Sequence, residues 1–229
     1  MMLSDIVSIL TRYGPLLLEG LRNTLLLTCI SYIIGLVLGL GLSILRVYGP
    51  LWVKAIVATY IEIFRGTPMV VQLFLIYYSL PTIGVKLDPF TSAIIAIGLN
   101  SGAYQAEYFR SAIGSVSLGQ WEAALSIGMK KATAIRTIII PQVFRVALPA
   151  LTNEIVYLLK YSSIAYFITV PELVYTGKII GTRTFMYLQV YTIIAIIYVI
   201  FSLLFSELFF RVERRISIPG ISISTTLRQ

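Results

Sequence analysis

The chain has 229 residues, of which 58% are hydrophobic and only 12% are charged, and its formal net charge is +8. Soluble globular proteins carry about 25% charged residues, so this composition excludes an ordinary soluble domain and favours an integral membrane protein. The absence of histidine and the single Cys29 exclude histidine-containing metal sites and intrachain disulfides. No G-x-x-x-x-G-K-[ST] sequence is present, so we expect no P-loop nucleotide site, no bound cofactor and no catalysis.

The chain divides into one membrane domain and two short terminal segments. Residues 1–19 are predicted to form a short amphipathic helix on the membrane surface, because apolar residues such as Ile6, Leu10 and Tyr13 recur at helical spacing. The alternative for this segment is a frayed apolar tail. Residues 20–215 form the predicted transmembrane domain, and residues 216–229, which end in a Ser/Thr-rich stretch, are predicted to be a cytoplasmic tail.

Five stretches of this domain are predicted to cross the membrane as helices. A helical span needs roughly 17 to 25 largely apolar residues, and the stretches lack the alternation of apolar and polar residues that membrane strands show. They are residues 23–45, 55–80, 89–106, 146–170 and 184–206. The predicted fold class is therefore an all-α integral membrane protein with five transmembrane helices.

Lysine and arginine are unevenly distributed between the two sides that five spans define. One side receives eleven of these residues, in the turn after the first span, the loop after the third and the C-terminal tail, whereas the other side receives five. The positive-inside rule assigns the richer side to the cytoplasm, so the N-terminus is predicted outside and the C-terminus inside. The net charge thus indicates topology and contact with membrane lipid, and no nucleic-acid partner is expected.

Small residues and prolines interrupt the predicted spans. Gly35-x-x-x-Gly39 in the first span favours close approach of another helix, although glycine is also common in membrane helices generally. Helix breaks at membrane depth persist only where the freed backbone groups face protein, water or ligand, so breaks indicate a pathway. The predicted breaks are Pro68 in the second span, Asn100-Ser101-Gly102 in the third, and Pro149 and Pro171 around the fourth.

The polar segment 119–142, between the third and fourth predicted spans, carries the most specific pattern. It contains E-A-A, three residues, Gly, nine residues and I-x-I-P, and it resembles the cytoplasmic coupling segment of ABC-importer permeases, with Ile140 where the family prefers Leu. An ordinary amphipathic surface helix is the alternative. The resemblance implies that this segment receives motion from a separate ATPase. The residues implied in that coupling are Gln120, Glu122, Ala123, Ala124, Gly128 and Pro141.

The physical properties of the segment agree with that role. Small side chains let a short helix press its backbone against another surface, and Glu122 is expected in the first helical turn, where a carboxylate interacts favourably with the helix dipole. Pro141 is expected to end the segment before the fourth span.

The resemblance extends over residues 17–215 and is to permeases of the polar amino acid uptake class. It rests on E-I-F-R-G-T-P at 62–68, Y-Q-A-E-Y-F-R at 104–110, and L-P at 148–149 followed by Asn153. Two positions depart from the family pattern: Ser111 stands where Gly is usual, and Tyr161 stands where an acidic residue is commoner. The second departure removes any role carried by an acidic side chain at that position.

The resemblance implies a type I ABC importer permease fold in the plasma membrane of a prokaryote. It also implies ABC ATPase subunits at the cytoplasmic face, a second permease subunit that is identical or homologous, and an extracytoplasmic substrate-binding protein. The substrate implied is a polar amino acid, with histidine, arginine, lysine and glutamine as the range. The expected mechanism is alternating access driven by ATP binding to the partner.

The charged residues of the predicted spans divide into pairs and one isolated acid. Glu62/Arg65 and Glu107/Arg110 are three residues apart and are predicted to form salt bridges. Glu154 has no basic residue three or four positions away. A charge in the membrane costs about 2.5–3.5 kcal/mol on insertion scales, so Glu154 requires a partner or a function.

We expect Glu154, beside Asn153, to bind the positive group of a substrate, unless an Arg or Lys of another helix neutralises it. The substrate carboxylate is expected at Asn100, Ser101 and Gly102, where unwinding would free backbone N–H groups. Thr67 is expected to add a hydroxyl group. In the alternative, these small polar side chains satisfy one another between helices.

A second class of function remains open from the residues alone. An ion-coupled secondary transporter or a channel that works without ATP would use Glu154 to bind a proton or a cation. That hypothesis leaves the segment 119–142 unexplained, and we find no inverted repeat of the kind that such transporters contain. A scaffold that merely anchors an enzyme would need no polar residues at helix breaks.

Overall fold

The structure is a computed structural model that describes residues 2–216, with side chains described from Ser4 to Arg215. Every regular element in this range is helical. The elements are α1 (Met2–Tyr48), α2 (Leu51–Gly66), α3 (Met69–Phe74), a π turn (Leu75–Ser79), a 3₁₀ turn (Leu80–Ile83), α4 (Pro89–Gly114), α5 (Leu118–Ser126), α6 (Lys131–Ala134), a second π turn (Ile135–Ile139), α7 (Ile140–Tyr161), a 3₁₀ turn (Ser162–Ile168), α8 (Leu173–Thr184) and α9 (Tyr187–Ile216). The predicted tail beyond Ile216 lies outside the described residues.

Helix α1 is continuous over 47 residues, which corresponds to a length of about 70 Å, more than twice the hydrocarbon thickness of a bilayer. The separate helix predicted for residues 1–19 is therefore wrong. The first part of α1 continues without a break because it has a packing partner: Ile9 and Leu17 are buried in one cluster with Leu173 of α8 and Val190 of α9.

Three described helices are long and apolar enough to span a membrane: Ser4–Tyr48, Lys131–Ile168 and Tyr187–Arg215. A fourth span is possible in the pair Leu51–Gly66 and Met69–Ile83, which bends by 106° at the break. Helix α4 is not in this set although it covers 26 residues, and it carries buried polar side chains at Ser92, Asn100, Ser101 and Gln105. By length and apolarity alone, the described helices therefore give fewer spans than the five that were predicted.

Helix α4 lies at the centre of the bundle, between α1, α2 and α7. Its approach to α1 is close, because a Cβ atom added at Gly35 or Gly39 would lie 2.7 Å from the side chain of Gln105. Gly41, two residues further on, has nothing within 4 Å of such an atom. The prediction that Gly35 and Gly39 allow another helix to approach closely is confirmed.

The predicted breaks have different outcomes. Pro68 does interrupt the second span, between α2 and α3. Pro149 lies inside α7, and Pro141 lies just after the π turn that joins α6 to α7; neither ends a helix, because the helical run Lys131–Ile168 continues through both. The break predicted at 100–102 is wrong, because α4 runs from Pro89 to Gly114 without interruption. Gly102 instead allows close packing of α4 against Leu38 of α1.

Candidate functional site

A cavity of about 290 Å³ opens beside the bend between α2 and α3. Pro68 removes a backbone donor at this point and directs the chain away from the α2 axis. The cavity is therefore bounded by the bend on one side and by α4 and α7 on the other. It is lined by Arg65, Gly66, Thr67, Pro68, Met69, Asn100, Tyr104, Tyr157 and Tyr161.

Buried side-chain amides hold the bend against α4. Gln72 Nε2 donates hydrogen bonds to Phe64 O (2.8 Å) and Thr67 Oγ1 (2.8 Å). Asn100 Nδ2 donates to Phe64 O (2.9 Å) and to Gln72 Oε1 (3.0 Å). Carbonyl groups at the end of a helix have no intrahelical partner, and these amides supply one. The carbonyl group freed at the break therefore has hydrogen-bond partners within the protein, and Asn100 connects the bend to α4.

Glu154 is 3% exposed and accepts a hydrogen bond at each carboxylate oxygen. Ser101 Oγ donates to Oε1 at 2.7 Å, and the Tyr108 hydroxyl donates to Oε2 at 3.0 Å. No Lys or Arg nitrogen within the described chain lies within 4.0 Å of this carboxylate. Neutralisation by a basic residue of another helix, the alternative to a role in binding, is not found.

The residues predicted to form one site are only partly brought together. Thr67 and Asn100 line the cavity. Ser101, the residue after Asn100 on α4, is hydrogen-bonded to Glu154, and neither of them lines the cavity. Gly102 faces α1, and Asn153 is exposed without lining the cavity.

The lining includes one arginine and three tyrosines that the sequence did not assign to this site: Arg65, Tyr104, Tyr157 and Tyr161. The guanidinium carbon of Arg65 lies 5.3 Å from the centre of the Tyr104 ring. The rings of Tyr157 and Tyr161 have centres 4.1 Å apart and planes inclined by 32°. The i, i+4 spacing of these two tyrosines on one helix is a signal that would have indicated a shared face.

One of the two predicted salt bridges is confirmed. Glu107 and Arg110 do pair, at 2.7 Å, and Glu107 also lies 3.9 Å from Arg46 and 4.0 Å from Arg65. The predicted pair of Glu62 and Arg65 is wrong. Glu62 is exposed, and Arg65 instead extends toward Glu107 because α2 packs against α4.

The segment 119–142 contains α5, a turn and the start of the long helical run into α7. Ser117 caps α5, accepting a bond from Gly119 N at 3.3 Å. Gln120, Glu122 and Ala123 are exposed, whereas Ala124 is 2% exposed and packs against its own chain. Since α5 begins at Leu118, Glu122 lies beyond the first turn, and the predicted contact with the helix dipole is wrong.

Gly128 ends α5 with a backbone φ of +79°, in the left-handed region where L side chains are disfavoured. Its N–H donates to Leu125 O at 3.0 Å, and the N–H of Met129 donates to Ala124 O at 3.1 Å. Apolar side chains remain uncovered around this turn, with Leu118 76% and Ile127 77% exposed. The segment thus presents an exposed surface that contains both polar and apolar side chains.

Residues 31–218 match the family described as "Binding-protein-dependent transport system inner membrane component". The chain belongs to this family. Among curated members, the probable amino-acid ABC transporter permease protein YckA of Bacillus subtilis is 44% identical over 80% of this chain and 81% of its own length. The glutamine transport system permease protein GlnP of Escherichia coli is 37% identical over 89% of this chain and 94% of its own. The family resemblance seen in the motifs is confirmed.

Two solved ABC transporter structures have the same fold. A crystal structure of an amino acid ABC transporter with histidines superposes with a TM-score of 0.84 and 41% identity, covering 92% of this chain and 98% of that one. An inward-facing MetNI methionine ABC transporter superposes with a TM-score of 0.78 at 20% identity, covering 90% of this chain and 98% of that one. The prediction of an all-helical ABC-importer permease fold is confirmed.

Proposed function

We propose that this chain is the permease subunit of an ATP-driven ABC importer for polar amino acids, with cationic ones favoured. The observation that carries the proposal is the identity of 41% over 92% of the chain with an amino acid ABC transporter of known structure. Relatives named as amino-acid and glutamine permeases support the same substrate class. In this proposal the chain itself performs no catalysis and binds no cofactor.

The partners in this proposal are ABC ATPase subunits, a second permease that is identical or homologous, and an extracytoplasmic substrate-binding protein. Membrane lipid surrounds the assembly, and no nucleic acid takes part. The exposed surface of α5 and of the turn at Gly128 supports an ATPase contact, since uncovered apolar residues flanked by polar ones are typical of interaction surfaces. Gln120, Glu122 and Ala123 contribute the exposed part, and Ala124 holds α5 onto its own chain.

The proposed topology has five spans, with the N-terminus outside and the C-terminus in the cytoplasm. α1, the bent pair α2–α3, α4, α7 and α9 supply the spans. Although α4 is less apolar than the others, α1, α2 and α7 surround it, so its polar side chains meet protein. Polar residues within spans are accepted where they face the bundle interior.

The cavity beside Pro68 is the proposed amino acid site. The guanidinium of Arg65 suits an α-carboxylate, because arginine binds planar anions well. The Asn100 amide nitrogen donates both of its hydrogen bonds to protein acceptors, so the side-chain oxygen is the atom that suits an α-ammonium group. Tyr157 and Tyr161 present aromatic faces that attract a cationic side chain.

Glu154 adds a long-range attraction in this proposal. Its buried carboxylate accepts a hydrogen bond from Ser101, which follows the cavity-lining Asn100, and has no basic partner in the described chain. A buried charge of this kind is weakly screened, so it favours a cation in the neighbouring cavity. Asn153 and Gly102 make no direct contact with the substrate in this proposal, since neither lines the cavity.

Alternating access is the proposed mechanism. ATP binding to the partner draws the ATPases together and moves α5, and the run from Lys131 to Ile168 transmits the motion to the α7 side of the cavity. A ligand shifts such an equilibrium only by binding the two states unequally. ATP bound to the partner supplies that difference.

A pull-down and a transport assay test the proposal together. Co-purification of a soluble P-loop ATPase should be lost in Gly128→Asp, and it should survive in Gly14→Asp, because Gly14 is also open but lies far from α5. Vesicles containing the complete assembly should accumulate labelled arginine only with ATP inside. Accumulation by vesicles that contain this chain alone would instead establish the ion-coupled or channel alternative.

A further inference from the structure

A second cavity, which the transport site does not use, lies where α1 and α4 end and α5 begins. Its volume is about 510 Å³. We call it the basic cavity. It is lined by Arg46, Val47, Tyr48, Arg110, Ile113, Gly114, Leu118 and Trp121.

The basic cavity carries an excess of positive charge. Arg46 and Arg110 line it, and the only carboxylate within 4.0 Å of either in the described chain is Glu107, which also lies near Arg65. Arg110 uses its Nε and Nη2 groups on that carboxylate. Three guanidinium groups therefore share one acid, and an anion in the cavity would be attracted.

Two donor groups on residues that line this cavity lack an acceptor. Arg46 Nη1 is buried without a hydrogen-bond partner in the described range, and the buried Tyr48 hydroxyl is paired there with the indole N–H of Trp121 but donates to no described acceptor. The Trp121 ring lies beside Tyr48, with ring centres 5.4 Å apart, but an indole N–H can only donate. Buried donors almost always have an acceptor in folded proteins. Both atoms can donate, so the missing partner is an acceptor.

The surroundings favour a lipid as the source of that acceptor. Leu51 and Trp52, which begin α2 just after Tyr48, are 84% and 67% exposed, and Leu118 in the cavity wall is 76% exposed. Tryptophan and apolar side chains next to arginine are typical of the membrane interface. In the proposed topology this end of α1 is cytoplasmic, and the cytoplasmic leaflet is the anionic one.

We propose that the basic cavity binds the phosphate headgroup of an anionic phospholipid of the cytoplasmic leaflet. The phosphate oxygens accept hydrogen bonds from Arg46 Nη1 and the Tyr48 hydroxyl, and Arg110 contributes charge. The bound headgroup bridges the end of α1 to the start of α5, so lipid occupancy stabilises the base of the coupling segment. The assignment of this cavity to the cytoplasmic side of the membrane rests on the proposed function, whereas the assignment of an anion site rests on the cavity itself.

The test uses the purified full-length permease in detergent without its ATPase, so failure of the coupling assignment does not affect the result. Native mass spectrometry measures retention of phosphatidylglycerol against phosphatidylcholine, whose choline group the excess positive charge repels. Loss of a hydrogen bond to a charged group should weaken retention of phosphatidylglycerol about tenfold in Arg46→Gln. Arg65→Gln is the matched control, because Arg65 also faces Glu107 but does not line the basic cavity.

Tyr48→Phe keeps the ring beside Trp121 and removes only the hydroxyl, so it should fold normally and also retain less phosphatidylglycerol. Equal retention of both lipids, or equal losses in Arg46→Gln and Arg65→Gln, would overturn the proposal. Displacement of the lipid by millimolar inorganic phosphate would assign the cavity to a free anion. Unchanged retention of phosphatidylglycerol in Arg46→Gln would also overturn the proposal, and loss of the ATPase from this variant in a separate pull-down would then assign the cavity to an acidic side chain of the partner.

Discussion

Ser101 Oγ donates a hydrogen bond of 2.7 Å to Glu154 Oε1, which joins the central helix α4 to α7. Ser101 directly follows Asn100, the residue of α4 that lines the cavity beside Pro68. The helical run Lys131–Ile168 contains both α7 and the last part of the segment 119–142. In the proposed mechanism, a shift of that run changes the distance between α7 and α4, so this bond lies on the proposed path from α5 to the substrate site.

Replacement of Glu154 by Gln tests the role of its charge. The amide still accepts a bond from Ser101, so the assembly should remain intact, while the attraction for a cation disappears. We expect stimulation of the partner ATPase by arginine to fall about ten- to hundredfold. The matched control is Glu207→Gln, an exposed acid that pairs with Arg211 on α9. Unchanged arginine uptake in Glu154→Gln would remove this carboxylate from the site.

A bulky residue at Ala123 tests the surface of α5. Ala123 is exposed, so Ala123→Trp should leave the chain folded while it obstructs the partner surface. Uptake should fall about tenfold, the effect of roughly 1.4 kcal/mol, without a change in substrate affinity. Ala124 is unsuitable for this test, because it is 2% exposed and a tryptophan there would disrupt α5 itself.

Ala195→Trp is the control for that variant, since Ala195 is exposed on α9, on an element other than α5. Normal ATP-driven uptake by the Ala123→Trp assembly would show that this face of α5 makes no contact that matters for transport.

The contact between α1 and α4 predicts a contrast between two glycines of one helix. A Cβ atom at Gly39 would lie 2.9 Å from the backbone N of Ala106, which has no room to move, whereas Gly41 faces open space. Gly39→Ala should therefore destabilise the protein by about 1–3 kcal/mol, the usual cost of overpacking. Gly41→Ala should instead stabilise it slightly, by about 0.4–1 kcal/mol, because alanine is favoured over glycine inside a helix. Thermal unfolding of both purified variants measures the difference, and equal midpoints would contradict the observed packing.

Glu172 predicts a dependence of stability on pH. It is fully buried and caps α8, accepting bonds from the N–H groups of Val174 (2.9 Å) and Tyr175 (2.7 Å). Burial raises the pKa of Glu172 to about 7, although these backbone bonds oppose the shift. The folded state therefore holds a proton more tightly than the unfolded state.

The stabilisation from this proton is complete below the unfolded pKa and is lost as the pH rises through about 7. The loss amounts to about 3 kcal/mol. The midpoint temperature of thermal unfolding should decrease as the pH rises from about 5 to about 8. The decrease should be larger in the wild type than in Glu172→Gln, which keeps an acceptor but does not ionise. Parallel pH profiles for the two proteins would exclude Glu172 as the cause.

The sequence predicted the class of this protein because its strongest signals are local. Long apolar stretches, the Pro68 break and the spacing of E-A-A and Gly in the coupling segment are all readable along one chain. Gly35 and Gly39 were also readable, since small residues four apart share one helix face. The family follows from the same local motifs.

The arrangement of the site depended on contacts between segments distant in sequence. Asn100, Ser101 and Gly102 suggested a helix break, but the fold uses them for three separate purposes: a bond to Gln72, a bond to Glu154 and close packing against Leu38. The local pattern of small polar residues is the same for a break and for a packed interface. Only the presence of α1 and α7 beside α4 decides between them.

Composition and motif spacing thus determined that the chain enters a membrane, that it is helical and which family it belongs to, because these properties arise from the solvent and from residues close in sequence. The tertiary structure decided which acid each arginine meets, which alanine of α5 is exposed and which tyrosines surround the cavity. Those outcomes arise from helix packing, which places residues such as Arg65 and Glu107 together although 42 positions of chain separate them.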